Sequence, residues 1–526
     1  MRLSHTLART STVFDDPNLV SSAGLVPVLA LADRAGLRKL AEEHLSVPGD
    51  KGAHAGLKVA SLVAGMVAGA DSIDDMALLR HGGMGRLFAR AYAPSTLGSF
   101  LRAFTFGHIR QLDAVASRFL LALTKPTGVL GTAAFADPDG GQGGYALVDV
   151  DDTLVEVHGH AKQGAGFGYN RVRGLNALLA TFSTAGANAS GPVIVAQRLR
   201  KGSTGSSRGA KRLVGDAAKT ASRLLGRSSR VLVRMDSAFY GRGPVHAALT
   251  GGAQVSVTVR MDRRVKAAIA MIPEQAWTTI EYTDAVLDEA SGRWISRAEV
   301  AEVDFVAFGA QPQREQVPGR LVVRRIPDFN ADTHRAAGQD TLFDLWRFHA
   351  FFTTTDPAIL DTVAADKTHR GHAIIEQVHA DLKSSALAHL PSGVFTANAA
   401  WLVLAVIAFN LTRAAGSTAG ADLAKATTST VRRKLVHVPA RVATSARRIT
   451  IHLPLAWPWE TAWTQLITRI ADPSRGVLTA QPSPTARAPD RGTPRQRGQA
   501  IPHPRNPNNK RRLPRPHPAG PSVDPG

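Results

Sequence analysis

Residues 146–159, ALVDVDDTLVEVHG, set Asp149, Asp151 and Asp152 behind an apolar run and ahead of Thr153. Two chemistries begin from such a cluster at the end of a buried strand. In one, the first aspartate of D-x-D-x-T attacks a phosphate and the second protonates the leaving group. In the other no side chain attacks. Carboxylates from separate elements instead hold two divalent cations roughly 3.5–4 Å apart, which activate one oxygen and stabilise another at phosphorus. The first design needs a Ser or Thr ending a second strand, a Lys and a late acidic pair. The second needs an aspartate at another strand tip and an acid on a helix.

The chain supplies the second set. Asp236 ends SRVLVRMD (229–236), whose Val and Leu run marks a buried strand, and SAFYGRG follows with small residues that let a substrate approach. Glu376 lies in HRGHAIIEQVHADLK (369–383), where the apolar spacing suits an amphipathic helix. Singly, each acid reads as an N-cap or a solvated helix face; the ordered combination favours metal-dependent phosphodiester chemistry. The D-V-D-D-T run also resembles the haloacid dehalogenase phosphohydrolases, which would make Asp149 the nucleophile and Asp151 the acid. In VGDAAKT (214–220), however, Thr220 stands where the second late carboxylate belongs. His372 and Glu376 are four apart, but no HExxH or third ligand completes a zinc site.

Composition narrows the partner. Lys and Arg number 63 against 42 Asp and Glu, a formal charge of +21 and a pI near 10.9. Such a chain expects a polyanion, nucleic acid first. With no cysteine, disulfides, Cys-ligated zinc, iron–sulfur clusters and thiol nucleophiles are excluded. MRLSHTLARTSTVFDD has no apolar core of a secretory signal. WLVLAVIAFNL (401–411) is short and sits among Asn398, Asn410 and Arg413, so it reads as a buried helix, with no membrane partner and a cytoplasmic location expected.

The elements that must position these residues form an α/β chain of several parts. Residues 1–135 read as mostly helical and as a DNA-binding region, with Ser95 the expected cap of a helix and a helix-turn-helix among the options. In 136–261, YALVDVD, GPVIVAQRL, SRVLVRMD and AQVSVTVRM read as strands and GDAAKTASRLLGR and GPVHAALTGG as helices, the first part of a catalytic core. Residues 262–366, with EVDFVAFG, GRLVVRRI and LWRFHAFFTT, read as a β-rich insertion. Helices return at 369–383 and 396–413 within a closing region, 367–475, whose Trp457, Trp459 and Trp463 suit core packing. The Pro- and Arg-rich stretch 476–526 reads as a disordered basic tail able to add loose phosphate contacts.

Together, DVDDT, VRMDSAFY and HRGHAIIEQVHADLK resemble a DDE transposase of a bacterial insertion sequence. Among these they look like the insertion sequence 1380 family, in the group whose third motif is Tyr-x2-Arg-x3-Glu-x6-Lys. The likeness runs over about 10–472. Carried over position by position, the first aspartate precedes Thr by two and falls on Asp151; the second is Asp236, the third acid Glu376 and the motif lysine Lys383. His369 and His372 replace the motif's Tyr and Arg, and Arg370 stands beside them as a substitute charge. The resemblance implies an RNase H-like core carrying the β-rich insertion, and two Mg²⁺ ions, for which Mn²⁺ can substitute, on Asp151, Asp236 and Glu376. It implies DNA contacts from Lys383, Arg370, His369 and His372. It also implies cleavage at transposon ends, joining of the 3′-OH to target DNA, and a homodimer on the terminal inverted repeats. An inactive DNA-binding descendant is the alternative.

Overall fold

A computed structural model of the chain describes residues 1, 3–127, 129–130, 144–159, 161–168, 171–184, 191–225, 230–288, 293–327 and 346–472, with only the backbone described at 282–288, 293–296 and 327. The β-branched runs of the middle of the chain become the centre of one large mixed sheet. In chain order the strands are β1 (Leu19–Val20), β2 (Ala146–Glu156), β3 (Gly166–Phe167), β4 (Arg173–Ser183), β5 (Val193–Lys201), β6 (Val231–Met235) and β7 (Gln254–Thr258). There follow β8 (Thr278–Asp288), β9 (Arg293–Ala307), β10 (Val317–Pro327), β11 (Trp346–Thr353), β12 (Ala440–Ser445) and β13 (Arg448–His452). The helices of eight residues or more are α1 (Leu25–Arg34), α2 (Leu37–His44), α3 (Ala55–Val67), α4 (Pro94–Arg102), α5 (Phe106–Thr127) and α6 (Ala210–Leu225). The later ones are α7 (Arg242–Thr250), α8 (Arg263–Ala270), α9 (Thr362–Arg370), α10 (Ile374–Lys383), α11 (Phe395–Ala419) and α12 (Glu460–Ala471).

Across the sheet the strands run β5-β4-β2-β6-β7-β11-β10-β9-β8, and β3 pairs with the start of β4. β4 is antiparallel to both β2 and β5, while β6 is parallel to β2 and β7 parallel to β6. Strands buried on both faces need apolar residues throughout; in β4 every residue from Gly174 to Phe182 is buried. Register matters most at β2 and β6, where Val150 lies opposite Met235. The next residues, Asp151 and Asp236, therefore stand beside each other at a strand spacing of about 4.8 Å.

The strands of 262–366 extend this sheet. β11 pairs antiparallel with β7, placing Phe352 opposite Val257, and β10, β9 and β8 follow outward. Their face carries α9: Ala365 packs with Val322 and Phe351, and Val363 against Ile280, Val300 and Ile326. Asp361 caps α9 by accepting from the Ala364 N–H at 2.7 Å.

The helical N-terminal region is knitted to the C-terminal one, and one compact unit runs from Met1 to Gly476. β1 pairs with β12, and the Ala23 N–H donates to the Val438 carbonyl at 3.0 Å. Helix α4 starts two residues earlier than a Ser95 cap would require, with Ala93 at the N-cap and Pro94 in the first turn, where its missing N–H costs nothing. α11 is long and apolar enough to cross a membrane, yet it is the buried centre of this unit, with Trp401 fully enclosed and donating its indole N–H to the Ala386 carbonyl at 2.7 Å. Asn410 completes the fit. Its amide takes both backbone groups of Ile194, at 2.9 and 2.8 Å, where the β4–β5 register slips. Trp463 is buried, while Trp457 and Trp459 stack edge to face at 5.4 Å and are partly exposed. The stretch 476–526, read as a basic tail, lies outside the described residues.

Candidate active site

Strand alternation sends Asp149 and Asp151 to one face of β2 and Asp152 to the other. Asp149 is 0% exposed and saturated: Arg234 Nε donates to one carboxylate oxygen at 2.6 Å and Nη2 to the other at 2.7 Å. His372 Nδ1 donates to the first oxygen as well, at 2.9 Å, because a paired carboxylate can only accept. A carboxylate enclosed and triply bonded cannot reach a phosphate, so the covalent design with Asp149 as nucleophile fails on geometry. Thr220, where that design wants an acid, is buried and donates to the Asp216 carbonyl.

Arg234 also ties the helical segment to the sheet, donating to the carbonyls of Thr368 and Gly371. A side chain at 371 would crowd this contact, since a Cβ there would lie 2.9 Å from Arg234 Nη1. The expected helix 369–383 is consequently in pieces: α9 ends at Arg370, Gly371–Ala373 form a 3-10 turn, and α10 resumes at Ile374.

Asp152 is also neutralised. Arg200, itself buried, donates to Asp152 and to Asn176 Oδ1, Asn176 donates to Asp152 at 2.7 Å, and Ser206 Oγ at 3.2 Å.

Asp151 and Asp236 differ from both. Asp151 accepts one hydrogen bond, from the Asp152 N–H at 2.7 Å, and burial pushes its carboxyl up to about 6, with repulsion from Asp236 and Asp152 adding to the rise. Asp236 accepts from the Ala238 N–H at 3.0 Å as the cap of a short 3-10 turn, and burial again raises it. No arginine or lysine pairs with either carboxylate among the described residues; His379 Nδ1 stands 3.7 Å from Asp151.

The facing helix presents His372, Glu376, His379 and Lys383 at spacings of four, three and four, one side of a helix. His372 meets Asp149 and His379 meets Asp151, so this side lies against β2. Glu376 falls between them. It is exposed and makes no hydrogen bond or ion pair with a described residue. The structure thus brings Asp151 and Asp236 together and sets Glu376 on the side facing them, without drawing the three into one cage. Among the described residues no group of three or more His, Asp or Glu side chains is already poised to hold a metal. The oxygen donors nonetheless fit a hard dication. Two adjacent carboxylates whose charged forms are penalised by burial are the arrangement a cation between them would relieve.

The motif's remaining positions divide. Lys383 is exposed at the end of α10, its ammonium lowered by partial desolvation and close enough to depress His379. Arg370 lies beside Asp366, one turn earlier in α9. His369, expected to face DNA, is turned the other way. Its ring stacks on Phe351 at 4.1 Å, Nδ1 bonds Ser256 Oγ at 2.8 Å and Nε2 bonds Thr258 Oγ1 at 2.9 Å. Burial pushes it down to about 3, a neutral ring with no nitrogen left for a phosphate.

Sequence reasoning passed over Arg234 and His379. The signal for Arg234 was a charge inside an apolar strand, two residues before Asp236. For His379 it was a place three residues after Glu376, on the same helical side. His379 is buried and lowered to about 4, chiefly by burial, and its Nε2 has no hydrogen-bond partner among the described residues.

β2 does not end at Asp151 but runs on to Glu156, held by its pairing with β4, so Asp151 lies in mid-strand beside Asp236, which follows the end of β6. This pair of acids, with a third on the helix packed against β2, agrees with the comparison against protein families. Residues 8–474 match the family model described as transposase DDE domain group 1. No curated protein matches the chain. That match covers nearly all of the described structure, and the chain belongs to the transposase DDE domain group 1 family, whose work is DNA transposition and recombination.

Proposed function

We propose that the protein is a DDE transposase of the insertion sequence 1380 type, cutting DNA at transposon ends and joining the freed 3′-OH to target DNA, with Asp151, Asp236 and Glu376 as its three acids. The observation that carries this reading is the pair Asp151 and Asp236, desolvated side by side on neighbouring strands and unneutralised by any paired arginine or lysine among the described residues. The strand order β5-β4-β2-β6-β7, with three antiparallel strands followed by two parallel ones, supports an RNase H-like core.

Two Mg²⁺ ions, or Mn²⁺ in their place, would be held by Asp151, Asp236 and Glu376 and would supply activation of the attacking oxygen and stabilisation of the leaving one. The other residues position. Asp149 holds the His372 ring by Nδ1 and fixes its orientation on the side of the helix that packs against β2. The neutral His379 packs beside Asp151, its Nδ1 3.7 Å from the carboxylate. Lys383 and Arg370 supply fixed charge along the backbone of the bound end. A homodimer pairing two terminal inverted repeats, in the cytoplasm, completes the reading. The test is joining of pre-cut transposon ends to target DNA with Mg²⁺, wild type against Asp236→Ala. Loss of joining in the variant supports the assignment, and equal activity in the two proteins overturns it.

A further inference from the structure

We infer that residues 201–211, the loop leaving β5 and the first turn of α6, form a grip for the DNA backbone beside the candidate active site. β4 is antiparallel to both β2 and β5, so β5 runs parallel to β2 and delivers this loop to the end of the sheet toward which β2 carries Asp151 and Asp152. The loop is fastened there. Arg200 Nη1 donates to the carbonyls of Ser206 and Arg208, both at 2.7 Å, while its other nitrogens hold Asp152 and Asn176. Gly202 seals the base. Its N–H donates to the Gly164 carbonyl at 3.0 Å, and a Cβ at 202 would fall 2.0 Å from the Gly174 carbonyl oxygen.

This fixed loop displays Lys201, Arg208 and Lys211, all exposed and none in an ion pair among the described residues. Exposed Ser203 and Ser207 stand between them. Lys211 lies along Gly243, its Cβ 3.4 Å from where a Cβ of that residue would sit, in the segment that follows Asp236. Lys211 thus lies against the helix that follows Asp236, while Lys201 and Arg208 stand on the loop that Arg200 fastens to Asp152. Surface cations held by a buried arginine network, without acidic partners, form a built anion surface. A duplex, with one negative charge per about 1.7 Å of axis, is the polyanion able to engage three of them together. Neutralised carboxylates at Asp149 and Asp152 remove the repulsion that would otherwise meet it.

The inference rests on the transposase reading, and one experiment separates the two. Binding of the full chain to a short labelled duplex is measured by fluorescence anisotropy from about 50 to 200 mM salt. Wild type is expected to weaken steeply with salt. Lys201→Ala/Arg208→Ala/Lys211→Ala is expected to lower the slope of log affinity against log salt by about 0.9 per lost phosphate contact, about 3 in all. Lys201→Arg/Lys211→Arg, which keeps the charge, should retain the wild-type slope. A control set, Lys425→Ala/Arg447→Ala/Arg448→Ala, is exposed elsewhere and should leave the slope unchanged. A triple variant with the wild-type slope, or a control that falls equally, overturns the grip and leaves the transposase reading standing. A wild type that binds no duplex overturns both.

Discussion

Asp149 and Asp151 lie two residues apart on the same face of the same strand, and they could hardly be treated more differently. Asp149 is enclosed, with both oxygens on Arg234 and a third donor in His372. Asp151 is half-buried, its side chain 23% exposed, and has one backbone donor, a neutral histidine and a second carboxylate for company. Burying a charge with full compensation builds structure; burying it without compensation is unfavourable unless a ligand restores the balance. The contrast assigns the two acids to different work. Asp149 joins the sheet to the segment that carries Glu376, through Arg234 and the Thr368 and Gly371 carbonyls. Asp151 and Asp236 keep carboxylates free of arginine and lysine among the described residues, as the proposed metal-holding role requires.

The sharpest way to break this comparison is to neutralise one acid of each kind. Asp151→Asn or Asp236→Asn should cost strand joining about 10³-fold or more, the several kcal/mol that metal-centred charge stabilisation contributes, with thermal stability unchanged or slightly raised. Asp149→Ala or Arg234→Ala should do the reverse in kind. Each leaves a buried charge unpaired and should lower folding stability by about 3–5 kcal/mol in a denaturant titration. If Asp149→Ala folds as well as wild type while Asp151→Asn unfolds, the assignment of roles is inverted and the reading falls.

The same strand shows what the residues alone could reveal. β2, β6 and β7 were legible because buried strands read as apolar, β-branched runs, and Asp236 follows the end of β6 as expected, while β2 runs on past Asp151 to Glu156. β4 was not. RGLNALLATFS is rich in Leu and Ala, which favour helix, and it is a strand because β2 and β5 hydrogen-bond along both its edges. The segment 369–383 reads as one helix by periodicity, yet Arg234, 137 residues before Gly371, breaks it there. His369 shows the limit most clearly. A motif position that suggests DNA contact is occupied by a ring whose partners, Ser256 and Thr258, lie more than a hundred residues away. Glu376 and Lys383 were placed on one side of α10 by spacing alone, since that is local geometry.

A smaller effect sharpens the comparison from the ligand's side. Mg²⁺ added to metal-free protein should stabilise it, by about 2.7 kcal/mol at a hundredfold excess over its dissociation constant. The rise in Tm should vanish in Asp151→Asn and Asp236→Asn and survive in His369→Gln, whose ring faces the sheet. A full rise in Asp236→Asn would place the cation elsewhere.

The smallest expected effect is at Gly371, where the two treatments of charge meet. Its backbone is right-handed helical, with φ of −63°, so alanine there should gain up to about 1 kcal/mol of helix propensity. The added Cβ would stand 2.9 Å from Arg234 Nη1, and Asp149 denies that guanidinium room to withdraw. Overpacking of this sort costs about 1–3 kcal/mol, so the net loss should be about 1 kcal/mol. The informative measurement is the ratio of effects. Displacing Arg234 moves the Gly371 carbonyl and, with it, the start of α10, so strand joining by Gly371→Ala should fall further than its stability does. If Gly371→Ala is more stable than wild type and joins ends normally, Arg234 is not a tight clamp, and the position of Glu376 must be set by the packing of α9 on the outer strands instead.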